Sequence, residues 1–496
     1  MRSPVFSVRE LIRPGLVCVG LALVACLLTG CVVDQKSEIQ KYRDVLDDHR
    51  DKPLPLKPGE VLSLRRALAL ANQDNEQLAS QGENYLQALI AKNRALGAFL
   101  PSVSFQPNFV VEQAPKGNAA PTAAGAPPET AADEAASQGG YVHSGGTLHR
   151  FEAPVVGNMD FSYRNVPLAK AANTQVSEER QRLLDAQSTI LLNVAQAYYQ
   201  VLISERQVGV LQHSLTLQVA RVANLQQRYV MRLSLPLEVS QAQAQEAATQ
   251  VLLRHAQTDA RNGRRTLAIL VGTTPIDNPL VDETYAPYAP LPVKHFVDHA
   301  LATRQDLLAA QDAVKVARFQ VKAAVAEYYP TVSASVTGFL YREDYANSSK
   351  WNGILLANLP IFSAGQIRAD VRTAWSRLRQ AGLAENYLHR EIEANVQTAY
   401  DNLDTSGAVL LDLENELKAS AEAYHQAVQM EENGLAIPLD VLTAQDTLLN
   451  SELQYANEAY SRTVYYLDLV RAIGDLNPVT PLTPYGPAVP GYLILR

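Results

Sequence analysis

The chain has 496 residues, of which 47% are hydrophobic and 19% are charged, and its formal net charge is −8 at pH 7. This length is sufficient for two or more compact domains. The acidic balance argues against a nucleic-acid partner, because proteins that bind nucleic acid usually carry a basic surface.

The first 30 residues differ in composition from the rest of the chain. Arginines near the N-terminus precede an uncharged run over residues 15–28, which is the layout of a secretory signal and is too short for a confident membrane span. The sequence LTGC that ends at Cys31 resembles the lipobox of bacterial lipoproteins. This resemblance implies lipid attachment at Cys31 of the mature chain, and Val32 in the next position implies an outer-membrane address. A plain signal peptide or an anchor helix is the alternative.

The first half of the chain then predicts a β-hairpin. Residues 31–59 are predicted to form a tether, because a charged stretch is followed there by a proline-rich linker. Apolar and polar side chains alternate over about residues 102–112 and again over about 153–166. This alternation predicts two strands, each with one face in contact with water. Residues 114–147 between them are rich in Ala, Pro and Gly, and this composition predicts a disordered or mobile loop.

The second half repeats the same order of elements. Its predicted strands cover about residues 331–342 and 351–362. Each hairpin is followed by a stretch almost free of proline that predicts one long helix and then a shorter helix. The predicted helices are about 168–235, 236–272, 365–433 and 438–474. A helix of about 66 residues is about 100 Å long, which no ordinary globular core accommodates.

The chain is therefore divided into two repeats with flanking segments. The parts are a signal peptide (1–30), an acylated tether (31–59), a first repeat (60–290), a second repeat (291–476) and a Pro-rich C-terminal tail (477–496).

Each predicted strand has about the length of a strand that crosses a bilayer in a tilted β-barrel. Four strands do not close a barrel, and open sheet edges are not tolerated in lipid, so a barrel would have to be shared between chains. Two chains or three would satisfy this requirement. A small soluble sheet that caps a helical protein is the alternative.

Five segments together resemble the TolC-type outer-membrane efflux channels, in particular the lipoprotein branch that serves resistance-nodulation-division pumps. They are HALATRQDLLAAQDAV, YYPTVSAS, LPIFSAGQIRADV, NGLAIPLDVLTAQDTLLNSEL and YLDLVRAIG. The resemblance covers nearly all of residues 60–476. It implies a mostly α fold with a small β part, in which each of two structural repeats is a β-hairpin plus long helices. It also implies a homotrimer whose transmembrane β-barrel is continued by a periplasmic α-helical barrel.

The function implied by this resemblance is that of a passive, gated outer-membrane conduit that exports small compounds. Its implied partners are a periplasmic adaptor, an inner-membrane pump and the lipid of the outer membrane. Two alternatives stay open: a conduit for type I protein secretion, and a lipid-anchored periplasmic helical scaffold without a pore.

A short phrase is written twice at the ends of the long helices. LPLEVSQAQ at residues 235–243 recurs 202 residues later as IPLDVLTAQ. The prolines fit the first position of a helix, so Glu238 and Asp440 are expected near the positive end of a helix dipole and need no further function there. The resemblance implies a second role, in which Asp440 lines the pore as a gate, with Glu238 and Thr443 as further gate candidates.

The resemblance also assigns adaptor docking to the turns that precede these helices. The candidate docking residues are Met231, Arg232, Leu233, Asn433, Gly434 and Leu435. The chain departs from the family pattern in placing Arg232 where glycine is usual. It departs also in the segment from Pro167 to Tyr198, which is nine residues shorter than the segment from Pro360 to Tyr400.

Charged side chains near the turns are candidates for ion pairs between neighbouring helices, namely Arg232, Glu431 and Glu432. The more common behaviour of such charges is simple solvation. The chain shows no motif for catalysis or phosphate binding, and His295 and His299 have helical spacing but no evident third metal ligand. Neither an enzyme nor a cofactor is predicted.

Overall fold

The computed structural model describes residues 33–46, 56–57, 59–113, 147–273, 276–285, 292–342, 350–477 and 484–486. The signal peptide, Cys31, residues 114–146 of the predicted loop and most of the C-terminal tail lie outside the described residues.

Nine helices are described in these ranges. They are α1 (Gln35–Leu46), α2 (Leu64–Asp74), α3 (Glu76–Gly97), α4 (Asn165–Val230), α5 (Pro236–Val271), α6 (Val293–Thr303), α7 (Gln305–Val325), α8 (Gln366–Glu432) and α9 (Pro438–Ala472). None of them is long and apolar enough to cross a membrane. The described strands are β1 (Ser102–Phe105), β2 (Asn108–Gln113), β3 (Thr147–Ser162), β4 (Thr284–Tyr285), β5 (Thr331–Arg342), β6 (Trp351–Asn358) and β7 (Pro484–Gly486).

The main sheet is antiparallel, with the order β1-β3-β5-β6, and β2 also pairs with β3. Its register aligns the alternating side chains of β1, β3 and β5, whereas β6 also adds Ile354 and Leu356 to the more polar face. One face is apolar and carries Val103, Phe105, Val155, Met159, Phe161, Val332, Ala334, Val336, Trp351, Leu355 and Ala357. The other face is mostly polar and carries Ser102, Ser104, Asn158, Asp160, Thr331, Ser333, Ser335, Thr337, Asn352 and Asn358.

Aromatic pairs lie at both ends of this sheet. Tyr163 and Tyr329 are in contact where the sheet meets the helices, with ring centroids 5.3 Å apart. Phe151 and Tyr341 are in contact near the other end, at 5.8 Å. About 12 residues of chain separate Tyr329 from Tyr341, or about 40 Å of strand. A strand tilted by about 40° would then cover about 30 Å, close to the height of a bilayer core.

The helices next to the sheet keep the order of the strands they join. Helix α3 leads into β1, β3 leads into α4, α7 leads towards β5, and β6 leads towards α8. In the helical layer α4 contacts α3 and α7, and α8 contacts α7. Sheet and helices are therefore one continuous curved layer, with β1 and α3 at one lateral edge and β6 and α8 at the other.

The largest core lies midway along the long helices. Tyr198 and Tyr199 of α4 are fully buried there, and their rings are in contact. The Tyr198 hydroxyl lies 2.9 Å from the Leu62 carbonyl oxygen and accepts a hydrogen bond from the Val281 N–H at 2.9 Å, while the Tyr199 hydroxyl donates to the Glu283 carbonyl. These bonds attach the segment before α2 and the segment after α5 to α4.

Part of the predicted tether is packed helix. Helix α1 buries Tyr42 against Gly82 of α3, where a Cβ atom would lie 2.4 Å from the Tyr42 ring. The Leu46 carbonyl accepts a hydrogen bond from the Gln187 side chain of α4 at 3.0 Å. The predicted tether therefore contains a docked helix, and the proline-rich linker follows that helix in the sequence.

The nine-residue difference between the repeats is not a shortening of the first long helix. Helices α4 and α8 have 66 and 67 residues. The difference lies in the connections between the strands and these helices, because α4 begins directly after Arg164 whereas residues 359–365 separate β6 from α8. Pro167 and Pro360 are not equivalent positions. Pro167 lies in the first turn of α4, where proline is tolerated, whereas Pro360 precedes α8.

Candidate functional site at the tips of the long helices

The two long hairpins end in turns with the same backbone hydrogen bonds. In the first turn, the Leu233 N–H donates to the Arg228 carbonyl at 2.8 Å; in the second, the Leu435 N–H donates to the Met430 carbonyl at 2.8 Å. Bonds of this kind define the Schellman motif, which requires a left-handed residue just after the helix. Arg232 and Gly434 hold that position, with φ of 63° and 73°.

The repeated acids cap the helices that start after the turns. The Glu238 carboxylate accepts the Leu235 N–H at 3.0 Å, and the Asp440 carboxylate accepts the Ile437 N–H at 3.1 Å. Each acid thereby satisfies a backbone donor at the positive end of α5 or α9. The first turn adds a bond from the Ser234 hydroxyl to Glu238, and this bond, followed by the Leu235 N–H, lowers the pKa of Glu238. Ile437 has Ala436 before it in the chain, so the second turn has no such hydroxyl.

The gate candidates of the second repeat are accessible. Asp440 and Thr443 are both exposed on the first turns of α9. The Thr443 hydroxyl donates to the Leu439 carbonyl at 2.9 Å, an ordinary bond within a helix. Asp440 therefore caps its helix while one face of its carboxylate stays available to solvent.

An ion-pair cluster joins the two hairpins beside the turns. Glu431 of α8 pairs with Arg221 at 2.9 Å and with Arg228 at 3.0 Å, both from α4. The side chains of Glu431 and Arg221 are only 10% and 14% exposed, and Arg221 also donates to the Pro438 carbonyl at 3.2 Å. Of the three predicted ion-pairing residues, Glu431 forms such pairs, whereas none is described for Arg232 or Glu432.

Sequence reasoning missed Arg221 and Arg228. Their seven-residue spacing places both on one face of α4, which was the available signal. Their partner is more than 200 residues away, so no local pattern identified it. A second contact between the hairpins links the Gln245 side chain of α5 to Asp446 of α9, and burial raises the pKa of Asp446.

The predicted docking residues form an exposed, mostly apolar end of the molecule. Met231 and Leu233 are exposed in the first turn, and Leu435 is exposed in the second. Asn433 caps its own turn by donating from its side chain to the Gln429 carbonyl at 2.8 Å. The charged side chain of Arg232 is exposed between its two apolar neighbours.

The two histidines with helical spacing contact different groups. His299 Nε2 lies 2.9 Å from the Asp475 carboxylate, while the His295 ring is in contact with Phe296. In the part of the chain that the structure describes, no three His, Cys, Asp or Glu side chains are grouped so as to hold a metal ion.

Comparisons with known proteins agree with this geometry. The profile of the family described as "Outer membrane efflux protein" matches residues 296–475. Outer membrane efflux protein BepC of Brucella suis is 23% identical over 310 residues, which cover 62% of this chain and 68% of BepC. Cation efflux system protein CusC of Escherichia coli K12 is 22% identical over 355 residues, or 66% of this chain and 74% of CusC.

Solved structures share the fold over most of the chain. The outer membrane protein VceC of Vibrio cholerae superposes with a TM-score of 0.70 at 21% identity, covering 83% of this chain and 96% of VceC. The CmeC outer membrane channel of Campylobacter jejuni gives a TM-score of 0.73 at 15% identity, covering 84% and 86%. The chain is therefore similar to outer membrane efflux proteins, in sequence over residues 296–475 and in fold over most of its length.

Proposed function

We propose that this protein is the outer-membrane channel of a tripartite efflux system, a passive conduit through which small compounds leave the cell. One observation carries the proposal: a sheet with one apolar face, bounded by aromatic pairs, continues into helical hairpins about 100 Å long. The sheet suits a membrane and the helices suit an aqueous compartment beside it.

The channel is a homotrimer. In the described part of the sheet, β6 pairs only with β5, so the chain offers two lateral edges. Lipid does not tolerate open edges, and several copies joined edge to edge remove them. Strands β1 and β2 pair with successive parts of β3 and count as one strand of the barrel, so three copies would supply twelve strands, an even number as in bacterial outer-membrane barrels. The apolar face then contacts lipid, and the polar face lines the lumen.

The protein is located in the outer membrane and extends into the periplasm. Cys31 is the site of lipid attachment, and the strands hold the rest of the chain in the bilayer. The tips of the long hairpins point away from the membrane, where their exposed apolar turns are available to a periplasmic adaptor and, through it, to an inner-membrane pump.

The gate is at the same tips. Asp440 is repeated three times around the axis and forms an acidic ring that prefers cations. Glu238 and Thr443 are the secondary candidates. Glu238 ranks below Asp440 as a gate residue because the Ser234 hydroxyl also binds its carboxylate. The Glu431 cluster latches the two hairpins of each subunit and opposes their separation.

The proposal is tested by ion conductance of the purified oligomer in a planar bilayer, with wild type and Asp440→Ala compared. The expected result is a small, cation-preferring current in wild type that becomes larger or less selective in the variant. Absence of current from both folded preparations would contradict the channel. Equal currents would retain the channel and remove Asp440 from its gate.

Membrane extraction tests the placement of the strands independently. Replacement of Cys31 by serine removes the lipid but leaves the sheet, so the variant should remain in the membrane fraction at high salt and alkaline pH. A scaffold held only by its lipid would be released intact under the same conditions.

A further inference from the structure

The connection between β6 and α8 exposes two large apolar side chains almost completely. Ile361 is 94% exposed and Phe362 is 88% exposed. The connection itself is a defined turn, because Ala364 and Gly365 are left-handed and the Gln366 N–H donates to the Ser363 carbonyl at 2.9 Å. These two side chains therefore project from an ordered segment into space that the chain itself leaves empty.

This projection has no counterpart in the first repeat. Only Tyr163 and Arg164 connect β3 to α4, and both have partners in the same chain, Tyr329 and Glu327. The first connection lies in the middle of the curved layer, whereas the second lies at its lateral edge. The position at the edge is what distinguishes Ile361 and Phe362.

The order of the elements identifies what lies beyond that edge in an assembly. Strands and helices follow the same lateral order, from β1 with α3 to β6 with α8. A ring of identical copies joins unlike edges head to tail. The β6–α8 edge of one copy must then meet the β1–α3 edge of the next.

The two edges carry apolar side chains close to the junction of the sheet and the helices. Asn358, Thr331 and Ser162 lie in one row of the sheet. On the other edge, Ser102 pairs with Asn158, so the same row continues to the position of residue 98. On one edge, residues 359–362 lie directly after that row, on the side of the helices. On the other edge, residues 96–100 lie on both sides of it.

The facing segment is apolar and exposed. Leu96 and Leu100, near the C-terminal end of α3, are both exposed in the isolated chain. The match continues away from the sheet, where Trp375, Leu383 and Tyr387 are exposed on α8 and Ile90 is exposed on α3. Each edge thus leaves uncovered an apolar row that the other would cover.

We propose that Ile361 and Phe362 form a knob that packs on Leu96 and Leu100 of the neighbouring copy, at the junction of the sheet and the helices. The occupant of this surface is a second copy of the same chain. The proposal rests on the proposed oligomeric channel and adds the contact that fixes the order of its subunits.

The chain suits a cysteine test, because its three cysteines are Cys18 and Cys26 of the predicted signal peptide and Cys31, the proposed site of lipid attachment. Phe362→Cys and Leu100→Cys are combined in the full-length protein, and membranes are treated with a short thiol cross-linker. The expected result is a ladder of two and three linked subunits. Each single variant, and the pair of Leu411→Cys with Leu100→Cys, should give no ladder, since Leu411 is similarly exposed but far down α8.

Two further readings separate failure of the knob from failure of the channel. If an amine-reactive reagent still links the oligomer while the Phe362→Cys pair is not linked, the knob proposal is wrong. Quenching of a fluorophore at Phe362→Cys by spin-labelled lipid would then identify lipid as the occupant. If no reagent links any subunits, the oligomeric channel itself is wrong.

A substitution gives an independent measure of the same contact. Phe362→Ser should lose most of the oligomer in a mild detergent, whereas Tyr163→Ser, in the first-repeat connection, should retain it. Equal oligomer yields for the two variants would overturn the role of the knob in assembly.

Discussion

The first and second turns at the tip share their backbone and differ in their side chains. Both are Schellman motifs followed by a proline and a capping acid. The first turn places Arg232 in a left-handed conformation and holds Glu238 with a second bond from Ser234. The second turn has the relaxed Gly434 and a capping acid without that bond. The two turns therefore have the same backbone architecture but different side chains, and the less restrained acid lies in the second repeat.

Among the contacts near the two turns, the Glu431 cluster is expected to give the largest effect when it is changed. Glu431→Gln removes the charge that lies between Arg221 and Arg228, and we expect a loss of about 2–3 kcal/mol in the free energy of unfolding, because partly buried, charge-assisted bonds are lost. The same variant should conduct more than wild type. Chemical denaturation and bilayer recordings measure the two effects. Glu432→Gln, an exposed neighbour, is the matched control and should change neither.

Glu452 gives the next effect, and it depends on pH. Burial raises the pKa of its carboxyl to about 7, partly offset by Arg206. The pKa of Glu452 in the folded state exceeds the value of 4.5 in the unfolded state, so ionisation of this carboxyl lowers the free energy of unfolding. This loss is absent below pH 4.5 and grows as the pH rises to about 7. The counterpart in the first repeat is Gln250.

Glu452→Gln should therefore stabilise the protein at pH 8, by about 3 kcal/mol at most, and should change little at pH 4. Thermal unfolding of variant and wild type across this range makes the comparison. A stabilisation that is constant with pH would exclude ionisation of Glu452 as its cause.

The capping acids should give effects on stability of the same order, with the larger at Glu238 because Ser234 also binds it, and unequal effects on conduction. Glu238→Ala and Asp440→Ala each remove an acid from the first turn of a helix, for an expected loss of about 0.5–1 kcal/mol. Only Asp440→Ala should change cation selectivity. If Glu238→Ala changed selectivity as much, the proposed difference between the two acids would be wrong.

Arg232 gives the smallest effect, in the opposite direction. Arg232→Gly should raise the free energy of unfolding by about 0.5–1 kcal/mol, because glycine adopts a left-handed conformation without steric cost. Gly434→Ala in the other turn should lower it by a similar amount. Denaturant titration of the two variants checks both signs, and a destabilised Arg232→Gly would show that the arginine side chain makes a contact that outweighs its backbone strain.

The fold class was predictable because its signals are local. Alternation with period two indicated the strands, and their apolar and polar faces align in the register. The long helices followed from stretches almost without proline, and the fold class is confirmed by the solved relatives. Pro167 was misleading for the same reason, since a proline in the first turn of a helix looks in sequence like a boundary.

The candidate site was predictable only in part. Proline at the first helical position indicated the capping role of Glu238 and Asp440, and the structure contains both bonds. The pairing of Glu431 with two arginines depends on how the hairpins pack and is not encoded in either segment alone. The docked helix α1 was also missed, because its contact depends on the absence of a side chain at Gly82, far along the chain.

The docking of α1 has a consequence for how the molecule stands in its membrane. The end of α1 at Leu46 contacts Asn72, before the start of α3, while Tyr42 packs two turns further along α3. Helix α1 therefore runs opposite to α3, and its first residues point toward the sheet. Only a few residues separate Gln35 from Cys31, so a lipid at the proposed site would be attached close to the end of α1 that faces the sheet. In the proposed channel, α1 would fix the distance between the lipid anchor and the barrel, and its contact with Gly82 would set that distance.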